Sequence, residues 1–262
     1  MNQNNEHSSR PVVLITGVSR RKGIGFGVAK ILAQNGYSLF LQGFPTFDAT
    51  KQWGIDPGGL KAIGEELKGT GSQLETMECD FSFKQAPNQL IAAGVKAFSH
   101  LDVLIVNHAY HNSQSLFELT PDEIDHHLLI NVRATLLLIK EFARQFKKDS
   151  GGRIIMMTSG QHLGPMPQEL PYVASKGAIH QLTASLSDAV MEKGITLNTI
   201  NPGPTDTGWP TDQQRQEGLK HFPQGRWGQS EDVAKLILWL ISEEGGWITG
   251  QVINSEGGYR RS

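Results

Sequence analysis

Short runs of aliphatic and β-branched residues alternate along the chain with longer segments whose apolar positions recur every three or four residues. The first pattern is that of strands buried on both faces and the second that of amphipathic helices. Their alternation predicts an α/β fold with a parallel sheet. Strands are expected over residues 12–16, 38–41, 73–79, 102–107, 153–158, 196–200 and 251–254. Helices are expected over 23–35, where Ile24, Val28, Ile31 and Leu32 share a face, and over 60–68, 87–98, 120–148, 171–193 and 230–241. The fourth of these has strong start signals: Pro121 at the first helical position and a Thr120-x-x-Glu123 capping box. Ser230, followed by Glu231 and Asp232, reads as the cap of the last. Residues 42–59, with prolines and several glycines, read as irregular. Nothing repeats at a fixed period and no Pro- or Ser-rich linker divides the chain. The expectation is one doubly wound, Rossmann-type domain over residues 11–262, with a seven-stranded parallel sheet, behind a disordered polar tail of residues 1–10.

Composition narrows the function. The chain has 262 residues, near the upper end of what one core supports, and a formal net charge of −2. That balance argues against an obligatory nucleic-acid partner. One cysteine, Cys79, leaves no intramolecular disulfide or cysteine metal site and fits a reducing compartment. With no apolar run long enough to span a bilayer and no signal-peptide segment, a cytoplasmic location is expected. Among His108, His111, His126, His127 and His162, the adjacent His126 and His127 point in different directions on a helix and no acidic residue sits at ligand spacing with His108 and His111, so no metal is expected.

Thr16-Gly17 followed by Gly23-Ile24-Gly25 lies between the first strand and the first helix, where a glycine turn lets backbone approach a pyrophosphate at the helix N-terminus. Charge suggests the cofactor subtype. An NAD site offers a carboxylate about 20 residues past the glycines. From Arg10 to Phe47 there is no Asp or Glu, whereas Arg20, Arg21 and Lys22 sit inside the loop with Ser19. NADP(H) is therefore expected in preference to NAD(H). Asp48 is the one carboxylate that a bent loop would bring back toward the ribose.

Tyr172 and Lys176 are four residues apart on a predicted helix and share a face. A lysine beside a phenol lowers its pKa toward the working range of a proton donor or acceptor. Ser159 ends a predicted strand, where open α/β sheets place function.

Taken in order, Thr16-Gly17…Gly23-Ile24-Gly25, Asn107-His108-Ala109, Asn131, Ser159, Tyr172-x-x-x-Lys176, Asn201-Pro202-Gly203 and Gly257-Gly258 resemble the short-chain dehydrogenases/reductases, including 3-oxoacyl-carrier-protein reductase-like members. The resemblance implies a carbonyl reductase or alcohol dehydrogenase. Tyr172 would be the general acid, Lys176 would hold the nicotinamide ribose and depress the pKa of Tyr172, and Ser159 would polarise the carbonyl. Asn131 would anchor a water joining Lys176 to solvent. Asp80 with Phe81 would contact adenine, Asn107 and Ala109 would pack beside the adenosine ribose, and Pro202, Gly203, Thr205 and Thr207 would hold the carboxamide. Tyr110, His162 and Trp209 are substrate-pocket candidates, and a homotetramer is implied. The five residues between Gly17 and Gly23 resemble the enoyl-thioester branch, but the Tyr172–Lys176 spacing points to carbonyl chemistry. A cofactor-sensing regulator on the same fold and a carrier-bound 3-oxoacyl reductase are the competing readings. Acyl thioesters, sugars, steroids and small ketones all remain open as substrates, because the pocket is shaped by residues 204–225.

Overall fold

The computed structural model describes residues 10–261. Seven strands form one parallel sheet: β1 Val12–Ile15, β2 Ser38–Gly43, β3 Leu74–Glu78, β4 Val103–Val106, β5 Gly152–Met157, β6 Ile195–Asn201 and β7 Val252–Asn254. Their order is β3-β2-β1-β4-β5-β6-β7. The chain starts at β1, winds outward to β3, and returns to the other side of β1 at β4. The direction of winding therefore reverses between β1 and β4, and in open sheets the crevice beyond the strand ends at that reversal receives the ligand. β1, β2, β4, β5 and β6 are buried along their whole length, whereas the edge strands β3 and β7 are only partly buried.

Helices cover both faces. On one, α4 Ala86–Phe98 and α6 Ala134–Gln145 bury Leu90, Leu138 and Phe142 against Leu14, Leu104 and Ile154, with Ile179 of α7 Leu170–Met191 in the same cluster. On the other, α1 Ile24–Gln34, α3 Gly59–Lys68 and α9 Ser230–Ile241 bury Val28, Leu32, Ile63 and Ile237 against Val13, Ile15 and Ile105. Burying such side chains contributes roughly 1.5–3 kcal/mol each, which is what holds the layers together.

The predicted tail, apart from Arg10, lies outside the described residues. Arg10 itself donates to the Gly71 carbonyl at 2.8 Å. The helix expected over 120–148 is three pieces: α5 Pro121–His127, a π-helical turn Leu128–Arg133, and α6, which ends at Gln145. Its capping box is half formed. Thr120 Oγ1 accepts from the Glu123 N–H, but the Glu123 carboxylate takes the Tyr110 hydroxyl and Asn112 Nδ2 instead, and the Thr120 N–H donates to Gln114. Ser230 is the first residue of α9 rather than its cap. That place belongs to Gln229, whose N–H donates to the Asp232 carboxylate at 2.8 Å. Two helices have no apolar period to betray them: α2 Pro45–Ala49 is too short, and α8 Asp212–Leu219 buries none of its residues.

Candidate active site

The β1–α1 turn is bare backbone pressed against the β4 end. Gly17 has φ +74°, and a Cβ there would lie 2.8 Å from His108 Cα; one on Gly25 would lie 2.5 Å from the Gly17 carbonyl oxygen. Only glycine fits either position. Asn107 Nδ2 donates to the carbonyls of Thr16 and Gly17, each at 3.1 Å. Gln42 completes the clamp, accepting from Gly17 N–H at 2.9 Å and donating to Cys79 O at 2.7 Å, a role that nothing local in β2 announced. Gly23 caps α1 with no side-chain acceptor and the first turn holds no acidic residue, so its N–H groups are left for an anion. The end that begins Gly23-Ile24-Gly25 thus fits the pyrophosphate of a dinucleotide.

The absence of competing carboxylates around the loop cations is overturned. Arg20 Nε lies 3.3 Å from the buried Asp48 carboxylate, and its guanidinium covers the Trp53 ring at 4.5 Å. Arg21 Nε lies 2.6 Å from Glu66, and its N–H donates to Asp56 at 2.7 Å. All three acids follow the window 11–47 in sequence; residues 44–58 fold Asp48 and Asp56 back onto it, and α3 brings Glu66. Burial raises the Asp48 carboxyl pKa, against the pull of Trp53, Arg20 and Ser19. Ser19 Oγ also accepts from Phe44 N–H at 2.9 Å. Lys22 runs along Gly208, near Asp206, whose pKa is lowered first by its hydrogen bond with Arg215 and to a lesser extent by Lys22. Arg20 further donates to the Thr207 carbonyl at 3.0 Å, tying the glycine loop to the segment after β6.

Asp80 caps its own turn, accepting from Ser82 N–H at 2.8 Å, and the ring of the neighbouring Phe81 is buried in the core, its centroid 4.2 Å from that of His108. Ala109 is exposed beside Asn107. His108 Nε2 lies 3.0 Å from the Ile130 carbonyl and must carry the hydrogen; Nδ1 then accepts from Thr16 Oγ1 at 2.8 Å. Burial pushes its pKa down to about 3, so this imidazole is a neutral spacer.

Ser159, Tyr172 and Lys176 converge as expected. β5 ends at Met157, and Ser159, extended at φ −137°, lies close enough to Tyr172 in the first turn of α7 to act on its pKa. Lys176, one turn on, donates to the Met157 carbonyl at 2.9 Å, with Nζ 5.7 Å from the Tyr172 ring. The expected depression of the tyrosine pKa is absent. Burial and then the Glu169 carboxylate raise it, with only Ser159 pulling back. Burial meanwhile lowers Lys176 to about 8. Asn131 sits buried in the π-helical turn. Its Oδ1 accepts from Tyr110 N–H at 2.7 Å, and Nδ2 donates to Tyr110 O and Ser175 Oγ, each at 2.9 Å. With both ends of the amide engaged, Asn131 braces the Tyr110 loop against α7.

The substrate side differs most from expectation. Tyr110 is a post, its hydroxyl 3.1 Å from both Glu123 oxygens and its ring packed on Phe47 and His127. His162 rests on His180, one turn beyond Lys176, with rings 4.3 Å apart. Trp209 is 47% exposed, packs edge-on against Trp227, and donates to the Thr205 carbonyl at 3.1 Å. Thr205 Oγ1 donates to Gly203 O at 3.2 Å, and Gly203 sits under Glu256, fixing the turn begun by Pro202. Glu256 in turn ion-pairs with Arg261, whose guanidinium covers Gly160 next to Ser159. Two residues outside the expected site flank Tyr172: His111, edge-on at 4.8 Å between ring centroids, and Glu169, whose Oε2 lies 3.3 Å from His111 Nε2. Glu169 stands three positions before Tyr172, a helical spacing visible in the sequence. His111 had no such signal.

Over residues 17–260 the chain matches the family described as Enoyl-(Acyl carrier protein) reductase. It belongs to the short-chain dehydrogenase/reductase family. Uncharacterized oxidoreductase YjdA of Bacillus subtilis is 40% identical over 257 residues, covering 97% of this chain and 99% of that one. Dehydrogenase/reductase SDR family member 4 of Bos taurus is 31% identical over 253 residues, 94% and 86% of the two chains. Among solved structures, a short-chain dehydrogenase/reductase from Serratia marcescens superposes with a TM-score of 0.83 at 27% identity, over 95% of this chain and 97% of that one. A short chain dehydrogenase from Burkholderia cenocepacia in complex with NADP gives 0.82 at 27%, with the same coverage. Family membership makes the chain an oxidoreductase with a Rossmann-type fold. Among the described residues, no helix is long and apolar enough to cross a membrane.

Proposed function

We propose that this chain transfers hydride between NADP(H) and a carbonyl or secondary alcohol, with Tyr172 as general acid in reduction and general base in the reverse. The observation that carries this reading is the placement of the buried Lys176 one helical turn from Tyr172, with Nζ 5.7 Å from the Tyr172 ring and donating to the carbonyl of Met157, two residues before Ser159. Bound nicotinamide supplies the hydride. Ser159 holds the carbonyl oxygen, and Tyr172, kept protonated by its burial, delivers the proton to that oxygen. Lys176, near pKa 8, returns a proton to the phenolate. Asn131 keeps α7 and the Tyr110 loop in register while this happens.

Asp80, Asn107 and Ala109 would line the adenosine side, and Pro202, Gly203, Thr205 and Thr207 the carboxamide side. For the 2′-phosphate, Arg20 is the residue to bind it, exchanging Asp48 for a dianion. The complete Ser159–Tyr172–Lys176 set favours an enzyme over a cofactor sensor. Homotetramer assembly and cytoplasmic residence, the latter suggested by the one buried thiol, complete the reading.

Replacing Tyr172 with Phe tests it. General acid catalysis is typically worth about 10²–10⁴-fold, so kcat on a ketone should fall by that factor while NADPH binding, followed by its fluorescence, stays unchanged. A variant with near-wild-type kcat would remove Tyr172 from the reaction.

A further inference from the structure

The pair His111–Glu169 flanks Tyr172, and neither side chain has been assigned a contact with substrate. Glu169 precedes α7 directly, so the helix that presents Tyr172 also presents this carboxylate. His111 follows Tyr110 in the loop after β4, and that loop is held from both sides. Asn131 pins Tyr110 to the π-helical turn, and Lys51 Nζ donates to the His111 carbonyl at 3.2 Å from the segment after β2. Both side chains stay accessible, His111 at 44% and Glu169 at 30%. Among the described residues the pair makes one polar side-chain contact, with each other, leaving Nδ1 of His111 and Oε1 of Glu169 free to take further hydrogen bonds.

We propose that His111 and Glu169 form a subsite for a hydroxyl group on the carbon next to the reacting carbonyl, so that the substrate is a hydroxylated ketone or aldehyde, or the corresponding polyol. The proposal rests on the reductase reading above, because Tyr172 locates the reacting oxygen. An imidazole and a carboxylate together suit a hydroxyl. With its Nε2–H directed at Glu169, a neutral His111 presents Nδ1 as an acceptor beside the free Glu169 Oε1, so a substrate hydroxyl in this place finds an acceptor for its hydrogen on either group. A methyl or methylene in the same place would strip water from both groups and return nothing, which is the strongest way a polar site rejects an apolar analogue. A substrate carboxylate or phosphate there would meet the Glu169 charge. An acyl chain, as in a carrier-bound 3-oxoacyl thioester, would leave the pair unsatisfied.

Hydroxyacetone and butanone differ only by a hydroxyl in place of a methyl, and reduction of the two by wild type and by His111→Phe and Glu169→Gln tests the assignment. The readout is the ratio of kcat/KM for the two ketones within each variant, because any change in Tyr172 acidity acts on both alike. Wild type should favour hydroxyacetone by at least roughly tenfold, the order expected when one satisfied polar contact is lost. Each variant should bring the ratio within about threefold of unity. A wild-type ratio near one, or a variant that keeps the wild-type ratio, overturns the subsite and leaves the reductase reading standing. Absence of NADPH and NADH oxidation with every ketone tried overturns that reading, and the subsite with it.

Discussion

The ammonium of Lys176 is buried and held by the Met157 carbonyl, with no carboxylate paired to it among the described residues. Burial therefore takes its pKa from 10.5 down to about 8. Below about pH 8 the lysine is protonated in folded and unfolded chains alike, and the folded state bears the full penalty of the buried charge. Between about 8 and 10.5 the folded chain gives up its proton first, so the penalty fades as pH rises. Lys176→Met should raise stability at pH 7 by about 1–3 kcal/mol, the shift at 1.36 kcal/mol per unit less the cost of orphaning the Met157 carbonyl. The gain should shrink by pH 10, and turnover should be lost at both. Thermal unfolding monitored at pH 7 and pH 10 checks this, and a variant less stable than wild type at pH 7 contradicts it. Tyr172 shows the same tension in the other sense. Its neighbours hold it as a phenol, which suits proton donation to a carbonyl and leaves alcohol oxidation to more alkaline conditions.

Segment 44–58, containing α2, changes what the loop cations can do. It brings Asp48 under Arg20 and Asp56 beside Arg21, while Trp53 supports the Arg20 guanidinium from one face. The two arginines then part company. Arg20 also bonds the Thr207 carbonyl, so it sits within the cleft, whereas Arg21 reaches outward to Glu66 of α3. Arg20→Ala should weaken NADPH about 10- to 150-fold, the worth of one charge-assisted hydrogen bond, with NADH nearly unaffected. Arg21→Ala should change either cofactor by less than about threefold, because an exposed pair contributes little. Fluorescence titration of both cofactors against both variants decides the matter. Selective loss of NADPH in Arg21→Ala would reverse the assignment.

The outer surface carries more apolar area than one sheet-and-helix sandwich explains. Trp239 on α9 is 45% exposed and Trp247, just beyond it, 97%. On α6, Leu138 and Ile139 are buried, but Leu136 and Leu137 of the same run remain only half covered. Large apolar side chains grouped in this way are a cost to a monomer and an asset to a closed symmetric oligomer. A homotetramer is expected at micromolar concentration by light scattering. Trp247→Glu should shift the population toward smaller species, since a carboxylate buried unpaired at an interface is strongly unfavourable. A monomeric wild type under those conditions would refute the assembly.

Much of this molecule could be read from local rules. Buried strands announce themselves as aliphatic runs. Gly17 and Gly25 mark backbone that must pass close to other backbone, and a Tyr172–Lys176 spacing of one helical turn places two side chains on one face whatever surrounds them. Ser159 was legible because a strand end is a fixed address in an open sheet. What the local rules missed depends on contacts between residues far apart in the chain. Asp48 and Asp56 lie outside the stretch where a ribose carboxylate is sought, and only the path of residues 44–58 returns them to Arg20 and Arg21. The pKa of Tyr172 follows from burial and from Glu169 rather than from the lysine one turn away. Asn131 became a brace because a π-helical turn, invisible to a 3.6-residue period, aimed its amide at Tyr110 and Ser175. His111 reached the face of Tyr172 for the same reason: the partners of a loop residue are set by which loops the fold brings together, and charge and burial exist only once it has done so.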